Sequence, residues 1–134
     1  WGHDISPEEN QYEAGLSFAI SFKKKIDFIG KESLKKIKEQ KLKKKFVILS
    51  LKKSKPGLPL LLHDEPIYCD EKIVGRTTSG NYSFNYKKNI SFGYVKGDVD
   101  ISNKDIEIEV EKNKYKAVLE EQPLHDPENK FIKS

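Results

Sequence analysis

The 134-residue sequence has no methionine, a single cysteine at position 69, a single tryptophan and a single arginine. One thiol excludes a disulfide within the chain and fits a reducing compartment, so we expect a cytoplasmic protein. No apolar stretch approaches the roughly 18 residues that a membrane-spanning helix requires, so we expect no membrane partner. Because methionine is missing even at position 1, we expect the sequence to be a piece of a longer polypeptide.

Charge is distributed unevenly, although the formal net charge is only +4. Residues 1–22 contain four acids and no lysine or arginine, whereas residues 23–55 contain 14 lysines and three acids. A basic block of this kind can attract nucleic acid or another acidic partner. However, Arg76 is the only arginine against 24 lysines, and arginine is the residue that contacts phosphates and bases bidentately. We therefore expect no nucleic-acid binding and interpret the lysines as a solvated helix face.

The first part of the chain predicts one strand and one helix. Apolar residues alternate with small or polar ones over residues 15–22, which indicates a strand with one apolar side. Its apolar residues are Leu16, Phe18, Ile20 and Phe22. A run with almost no β-branched residues follows at 31–45, where Leu34, Ile37 and Leu42 fall near one face of a helix. These two elements have no partners for a core, so they are typical of an incomplete α+β domain.

From residue 46 onward, short strands separated by turn residues predict a small antiparallel β-barrel of five or more strands. The predicted strands cover residues 46–51, 66–69, 72–78, 90–96, 106–110 and 115–120. Ile106, Ile108 and Val110 alternate with glutamates and are expected to face inward. Gly80 is expected to supply a positive φ in a turn. The fold is therefore predicted to be mainly β, divided near residue 45 from the strand–helix segment that precedes the barrel.

Complete catalytic and metal-binding motifs are missing. The three histidines (His3, His63 and His125) and Cys69 are scattered singly, without the short spacings of metal ligands. GRTTSG at 75–80 has the glycine spacing of a phosphate loop, but asparagine and tyrosine follow where lysine and serine or threonine would bind phosphates and magnesium. No nucleophile elbow is present. We expect no metal site, no nucleotide site and no catalytic activity of the chain by itself.

Several segments together resemble a known family. They are GHDI at 2–5, YEAGLSFA at 12–19, DFIGKESL at 27–34, EPIY at 65–68, VGRTTSGNYS at 74–83 and ISFGYV at 90–95. In this order they are similar to the C-terminal half of the glycine-cleavage T protein (aminomethyltransferase) family. The tail PLHDPEN at 123–129, and Phe84 where T proteins often carry proline, resemble the branch of dimethylglycine and sarcosine dehydrogenases.

The resemblance implies a parent enzyme that moves a one-carbon group from an N-methyl amine or aminomethyl donor to tetrahydrofolate. Residues 1–45 would be the C-terminal piece of its folate-binding middle domain, and residues 46–134 its C-terminal β-barrel domain with a tail. The catalytic carboxylate, and any FAD domain, would lie upstream. The implied partners are the upstream domains of the same polypeptide and folate. The uncovered apolar face of residues 1–45 would allow copies of this piece to self-associate.

Three residues are the folate-binding candidates that the resemblance implies. In the family the C-terminal tail lies close to folate, so His125 would donate a hydrogen bond and Lys130 would meet a folate carboxylate as a point charge. Tyr82, just after Gly80, would stack or hydrogen-bond at the same wall. The alternative is that Tyr82 and His125 merely pack the tail onto the barrel. A different alternative for the whole chain is a stand-alone interaction or regulatory module that binds an acidic partner through its lysine-rich segment.

Overall fold

The computed structural model describes residues 1–133. The described residues form a short 3₁₀ helix at Ser17–Ala19, one α-helix and six strands. These elements are α1 (Lys31–Lys38), β1 (Lys44–Leu51), β2 (Pro66–Cys69), β3 (Lys72–Ser83), β4 (Lys88–Lys96), β5 (Ile106–Val110) and β6 (Asn113–Leu119). All strand pairs are antiparallel, and the strands close into a barrel in the order β1-β4-β3-β2-β5-β6. This confirms the predicted mainly-β barrel preceded by a helix.

Alternating side chains of the strands fill the interior of the barrel. Ile67 on β2 and Ile108 on β5 are opposite each other in the ladder, and each is 0% exposed. Leu61, from the connection between β1 and β2, is also buried and completes the core. Burial of one such side chain contributes about 1.5–3 kcal/mol. The predicted inward direction of Ile106, Ile108 and Val110 is confirmed because all three are buried.

Two tight turns close hairpins without glycine. Asp70 and Glu71 join β2 to β3, and Glu111 and Lys112 join β5 to β6. All four residues have positive φ, between 47° and 66°, as two-residue hairpins of type I′ require. The turn predicted at Asp70–Glu71 is therefore confirmed. The turn expected at Asn113 is formed instead by the two residues before it, Glu111 and Lys112.

Gly80 has a different role from the one predicted. It lies inside β3, opposite Ser91 on β4, and its φ is not positive. A Cβ atom at Gly80 would lie 2.6 Å from the Cβ atom of Leu61. The prediction of a turn was wrong because the glycine is needed for the close approach of Leu61 to the strand.

The strand predicted over residues 15–22 is absent from the structure. This part of the chain forms turns and the 3₁₀ helix, with Ala19 and Ile20 donating backbone hydrogen bonds to Leu16 and Ser17. Phe18 is 84% exposed. The prediction failed because a strand needs a neighbouring strand to satisfy its backbone groups, and among the described residues none lies beside this segment.

The predicted helix over 31–45 is confirmed only for its first half, since α1 ends at Lys38. Leu42 then contacts Gly97 after β4 so closely that a Cβ atom at Gly97 would lie 1.9 Å from the Leu42 carbonyl oxygen. This contact requires the chain to leave the helix before it enters β1.

Within residues 1–133, no helix is long and apolar enough to cross a bilayer. The domain boundary near residue 45 stays a prediction.

We expect Ile108→Ala to lower the free energy of unfolding by about 2–5 kcal/mol, because it opens a cavity at the centre of the barrel. Urea denaturation measures this change. The matched control is Val118→Ala on β6, which removes an apolar group that is 41% exposed and should change stability by about 0.5 kcal/mol or less. Equal losses in the two variants would contradict the assignment of inner and outer faces.

Candidate functional site

The N-terminal residues are fastened to the outside of the barrel by Asp4. One carboxylate oxygen of Asp4 accepts hydrogen bonds from the hydroxyls of Thr78 (2.6 Å) and Ser79 (2.8 Å) on β3. The backbone carbonyl of Asp4 accepts a 2.8 Å hydrogen bond from the Tyr94 hydroxyl on β4. Burial, together with the negative charges of Glu9, Asp4 and Glu13, raises the pKa of Tyr94 to about 12, so its hydroxyl remains a donor. We call this group, Asp4 with Thr78, Ser79 and Tyr94, the Asp4 clasp.

Two further carboxylates hold residues 6–15 against the start of β1. Glu9 forms an ion pair with Lys44 and accepts two 2.7 Å hydrogen bonds from Ser6. Burial by itself would raise the pKa of Glu9, but the bonds from Lys44 and Ser6 outweigh it and lower the pKa to about 2. Glu13 is buried; its carboxylate accepts a 3.3 Å hydrogen bond from the Lys43 amide, and its backbone carbonyl accepts a 2.8 Å bond from the Phe46 amide. Residues 1–15 are therefore attached to the barrel mainly by polar contacts.

The predicted folate-binding residues lie on two neighbouring segments. Tyr82 is near the end of β3, and its ring packs edge-on against Phe84 at a centroid distance of 5.2 Å. Tyr86, in the turn that follows, donates a 3.0 Å hydrogen bond to the backbone carbonyl of Leu124. The β3–β4 turn is thus tied to the tail that carries His125 and Lys130.

The side chains of the tail contact one another. The His125 ring stacks on Phe131 at a centroid distance of 6.3 Å, and the Lys130 ammonium lies 2.5 Å from a Glu128 carboxylate oxygen. The structure therefore brings the segments that carry Tyr82, His125 and Lys130 together. Each of the three side chains, however, contacts a residue of its own segment. The assignment of the three residues to folate stays a prediction.

Two clefts adjoin the N-terminal segment. One, of about 560 Å³, separates residues 7–13 from residues 37–44 and contains the acids Glu9 and Glu13. The other, of about 510 Å³, is bordered by apolar side chains that include Ile20, Ile26 and Leu34. Of the residues that border it, Ile26 is 79% exposed and Ile29 is fully exposed. Exposed apolar side chains in one region indicate a surface that contacts another molecule or domain.

Sequence reasoning did not identify the Asp4 clasp. Its parts lie within the segments GHDI, VGRTTSGNYS and ISFGYV, each of which resembles the family. Asp4 is more than 70 positions from each of its three partners in the chain, so local patterns contain no information about their contact. Among residues 1–133, no group of three histidine, cysteine or acidic side chains is placed to enclose a metal ion.

Comparisons with known proteins agree with this architecture. Residues 44–126 match the family described as the glycine cleavage T-protein C-terminal barrel domain. Human mitochondrial dimethylglycine dehydrogenase is 36% identical over 124 residues, which cover 92% of this chain and 14% of that protein. The aminomethyltransferase of Symbiobacterium thermophilum is 34% identical over 125 residues, which cover 93% of this chain and 32% of that protein.

A solved structure has the same fold. The crystal structure of the glycine cleavage system aminomethyltransferase T from Bartonella henselae superposes with a TM-score of 0.76 at 19% sequence identity. The match covers 94% of this chain and 35% of that chain. The chain therefore spans about a third or less of the length of these relatives.

We expect Asp4→Ala to loosen residues 1–15, because it removes the acceptor of two hydroxyl hydrogen bonds. Loss of hydrogen bonds to a charged group should lower the free energy of unfolding by about 1–3 kcal/mol. Amide exchange in residues 2–15 should accelerate, while exchange in β5 and β6 should change little. Asp98→Ala is the control, since Asp98 is an exposed aspartate after β4. Unchanged exchange in the Asp4 variant would show that the clasp does not hold the segment.

The ion pair of Glu9 predicts a pH dependence of stability. Its pKa is about 2 in the folded chain and has an ordinary value of 4.5, so the unfolded chain binds more protons between these values. The stabilisation is complete above pH 4.5 and is lost as the pH falls toward 2.

Urea denaturation across this pH range should show that Glu9→Gln lowers stability near neutral pH. The difference from the unmodified chain should shrink as the pH falls below 4.5. Glu8→Gln, at the exposed neighbouring position, should preserve the pH dependence. A constant difference at all pH values would contradict the role of the Glu9 charge.

Proposed function

Because the chain belongs to the family of the glycine cleavage T-protein C-terminal barrel domain, we propose that it is the C-terminal part of a tetrahydrofolate-dependent enzyme. The enzyme would transfer a one-carbon unit from an N-methyl amine or an aminomethyl donor. Within it, this chain would form one wall of the folate site and would supply no catalytic group. The observation that carries the proposal is the match of residues 44–126, since this range contains the whole closed barrel.

The attachment of residues 1–15 to the barrel supports the role of a wall. The Asp4 clasp and the ion pair between Glu9 and Lys44 join this segment to β1, β3 and β4. A binding wall has to keep its shape when a ligand arrives, because ordering mobile side chains reduces affinity. The clasp restricts the N-terminal segment before any ligand binds.

The β3–β4 turn and the tail are the surface that we assign to folate. The hydrogen bond from Tyr86 to Leu124 holds the two segments side by side. Tyr82 would contribute its ring to stacking, and His125 would donate a hydrogen bond. Lys130 would exchange its ion pair with Glu128 for a carboxylate of folate. This exchange costs little, because both groups of the Lys130–Glu128 pair are largely exposed and exposed ion pairs are weak.

The remainder of the enzyme would lie in the same polypeptide. Apolar side chains of residues 16–37, such as Phe18, Ile26 and Ile29, are exposed, and Ile26 and Ile29 border the same cleft. We assign this surface to contact with an upstream folate-binding domain, which would also bring the catalytic carboxylate. FAD, in a parent of the dehydrogenase branch, would be bound further upstream. Self-association of the isolated chain through this surface, its cytoplasmic location and the alternative of an acidic partner for the lysine-rich segment stay predictions.

Deletion of the tail after Gln122 from the longer polypeptide should raise the Kd for tetrahydrofolate about tenfold or more, which corresponds to a loss of about 1.4 kcal/mol of binding free energy. The physical reason is the loss of the contacts of His125 and Lys130. Equilibrium fluorescence titration measures the Kd, and thermal unfolding verifies that the deletion variant is folded.

Single substitutions separate binding from packing. Lys130→Ala should weaken folate binding, whereas Lys133→Ala removes an equal charge from the exposed end of the tail and should not. The isolated chain, incubated with tetrahydrofolate and dimethylglycine, should form no methylene-tetrahydrofolate. Unchanged folate affinity in a folded deletion variant would restrict the tail to a structural role.

A further inference from the structure

Two histidines that are 60 positions apart in the sequence face each other on the barrel surface. The rings of His3 and His63 have a centroid distance of 5.7 Å and an interplanar angle of 57°. His3 precedes the aspartate of the Asp4 clasp, and His63 lies in the connection between β1 and β2. The side chain of His63 is 55% exposed, so solvent reaches the space beside the pair.

One nitrogen of His63 is already held by a carboxylate. The Nδ1 atom of His63 lies 2.8 Å from Oδ2 of Asp64, and Nη1 of Arg76 donates a 2.8 Å hydrogen bond to Oδ1 of the same group. A carboxylate oxygen at this distance accepts a hydrogen bond, which places the proton of the imidazole on Nδ1 and leaves the lone pair of Nε2 free.

In protein metal sites, a histidine that binds the ion through one ring nitrogen commonly donates the N–H of the other to a carboxylate. His63 and Asp64 have this arrangement. In such sites the carboxylate selects the tautomer and orients the ring. Asp64 has a φ of 63°, a left-handed conformation that directs the chain sharply at this point. Nη1 of Arg76 holds the other oxygen of this carboxylate, which fixes Asp64 in place beside His63.

Both imidazoles come from segments that are fixed to β3. The Asp4 clasp binds the residue after His3 to Thr78 and Ser79. On the other side, the Glu65 amide donates a 3.0 Å hydrogen bond to the Thr77 hydroxyl, and that hydroxyl also contacts the Glu65 carboxylate. The two rings are therefore brought together by neighbouring positions of one strand.

We propose that His3 and His63 form an open binding site for a divalent transition-metal ion of the zinc type. Imidazole nitrogens bind such an ion at about 2.0–2.1 Å, so two of them lie about 3.4 Å apart in tetrahedral coordination. The ring centroids are 5.7 Å apart, and rotation of the two exposed side chains would turn a nitrogen of each ring toward one shared ion. Asp4 is committed to the clasp and Asp64 to His63 and Arg76, so water or a small oxygen or nitrogen ligand completes the coordination.

Calorimetric titration of the chain with Zn²⁺ at neutral pH is the test. We expect one saturable site, and loss of at least about tenfold in affinity in each of the variants His3→Ala and His63→Ala. The matched control is His125→Ala, which removes the third histidine of the chain from the tail and should leave the affinity unchanged. Ring proton signals of His3 and His63 should shift together in NMR spectra as Zn²⁺ is added.

Asp64→Asn tests the role of the carboxylate. Asparagine tolerates the left-handed backbone at this position, and loss of such a partner of a ligand typically weakens metal affinity about 10–100-fold. Absence of saturable Zn²⁺ binding would overturn the proposal. Zn²⁺ binding that is lost in the His3 variant but kept in the His63 variant would also overturn it, because the ion would then be bound by His3 and the backbone of the first residues. Equal losses in the His125 variant would show non-specific binding and would also overturn it.

Discussion

Closure of the sheet is the constraint on which the rest of the structure depends. β1 pairs with β4 on one side and with β6 on the other, so the ring of strands has no free edge. A free edge would leave backbone groups unpaired and available to other strands. Once the ring is closed, alternate side chains have to fill a narrow interior, and Ile67 and Ile108 occupy its centre. Leu61 enters from a connecting segment, and only glycine at position 80 leaves space for it.

The N-terminal segment depends on the barrel in a different way. Asp4, Glu9 and Glu13 place carboxylates against hydroxyl, ammonium and amide groups of the strands and of their own turns. Such charge-assisted bonds are strong but directional, so they define one position for the segment. In the described part of the chain, residues 16–30 make hydrogen bonds only within their own turns, and several of their apolar side chains, such as Phe18, Ile26 and Ile29, remain exposed. Within the first 45 residues, residues 1–15 are therefore bonded to the barrel, whereas residues 16–30 have only local hydrogen bonds among the residues described.

The candidate functional groups lie outside the core, on connections and at strand ends. Tyr82 is near the end of β3, His63 lies between β1 and β2, and Lys130 belongs to the tail. Binding residues commonly occupy such positions, because a rigid scaffold holds them while the core maintains the fold. In this chain β3 serves both the histidine pair and the surface assigned to folate. Thr77, Thr78 and Ser79 fasten the histidine pair, and the end of the same strand leads to the β3–β4 turn that contacts the tail.

The sequence by itself determined the barrel strands and the family. Alternation at 106–110 marks a strand with one buried face, and the family motifs are visible as local patterns. The same alternation at 15–22 was misleading, since a strand exists only where a second strand satisfies its backbone. Only the tertiary structure decided that Asp4 receives hydrogen bonds from β3 and that His3 meets His63. Contacts between distant positions depend on the path of the intervening chain, and barrel closure sets that path.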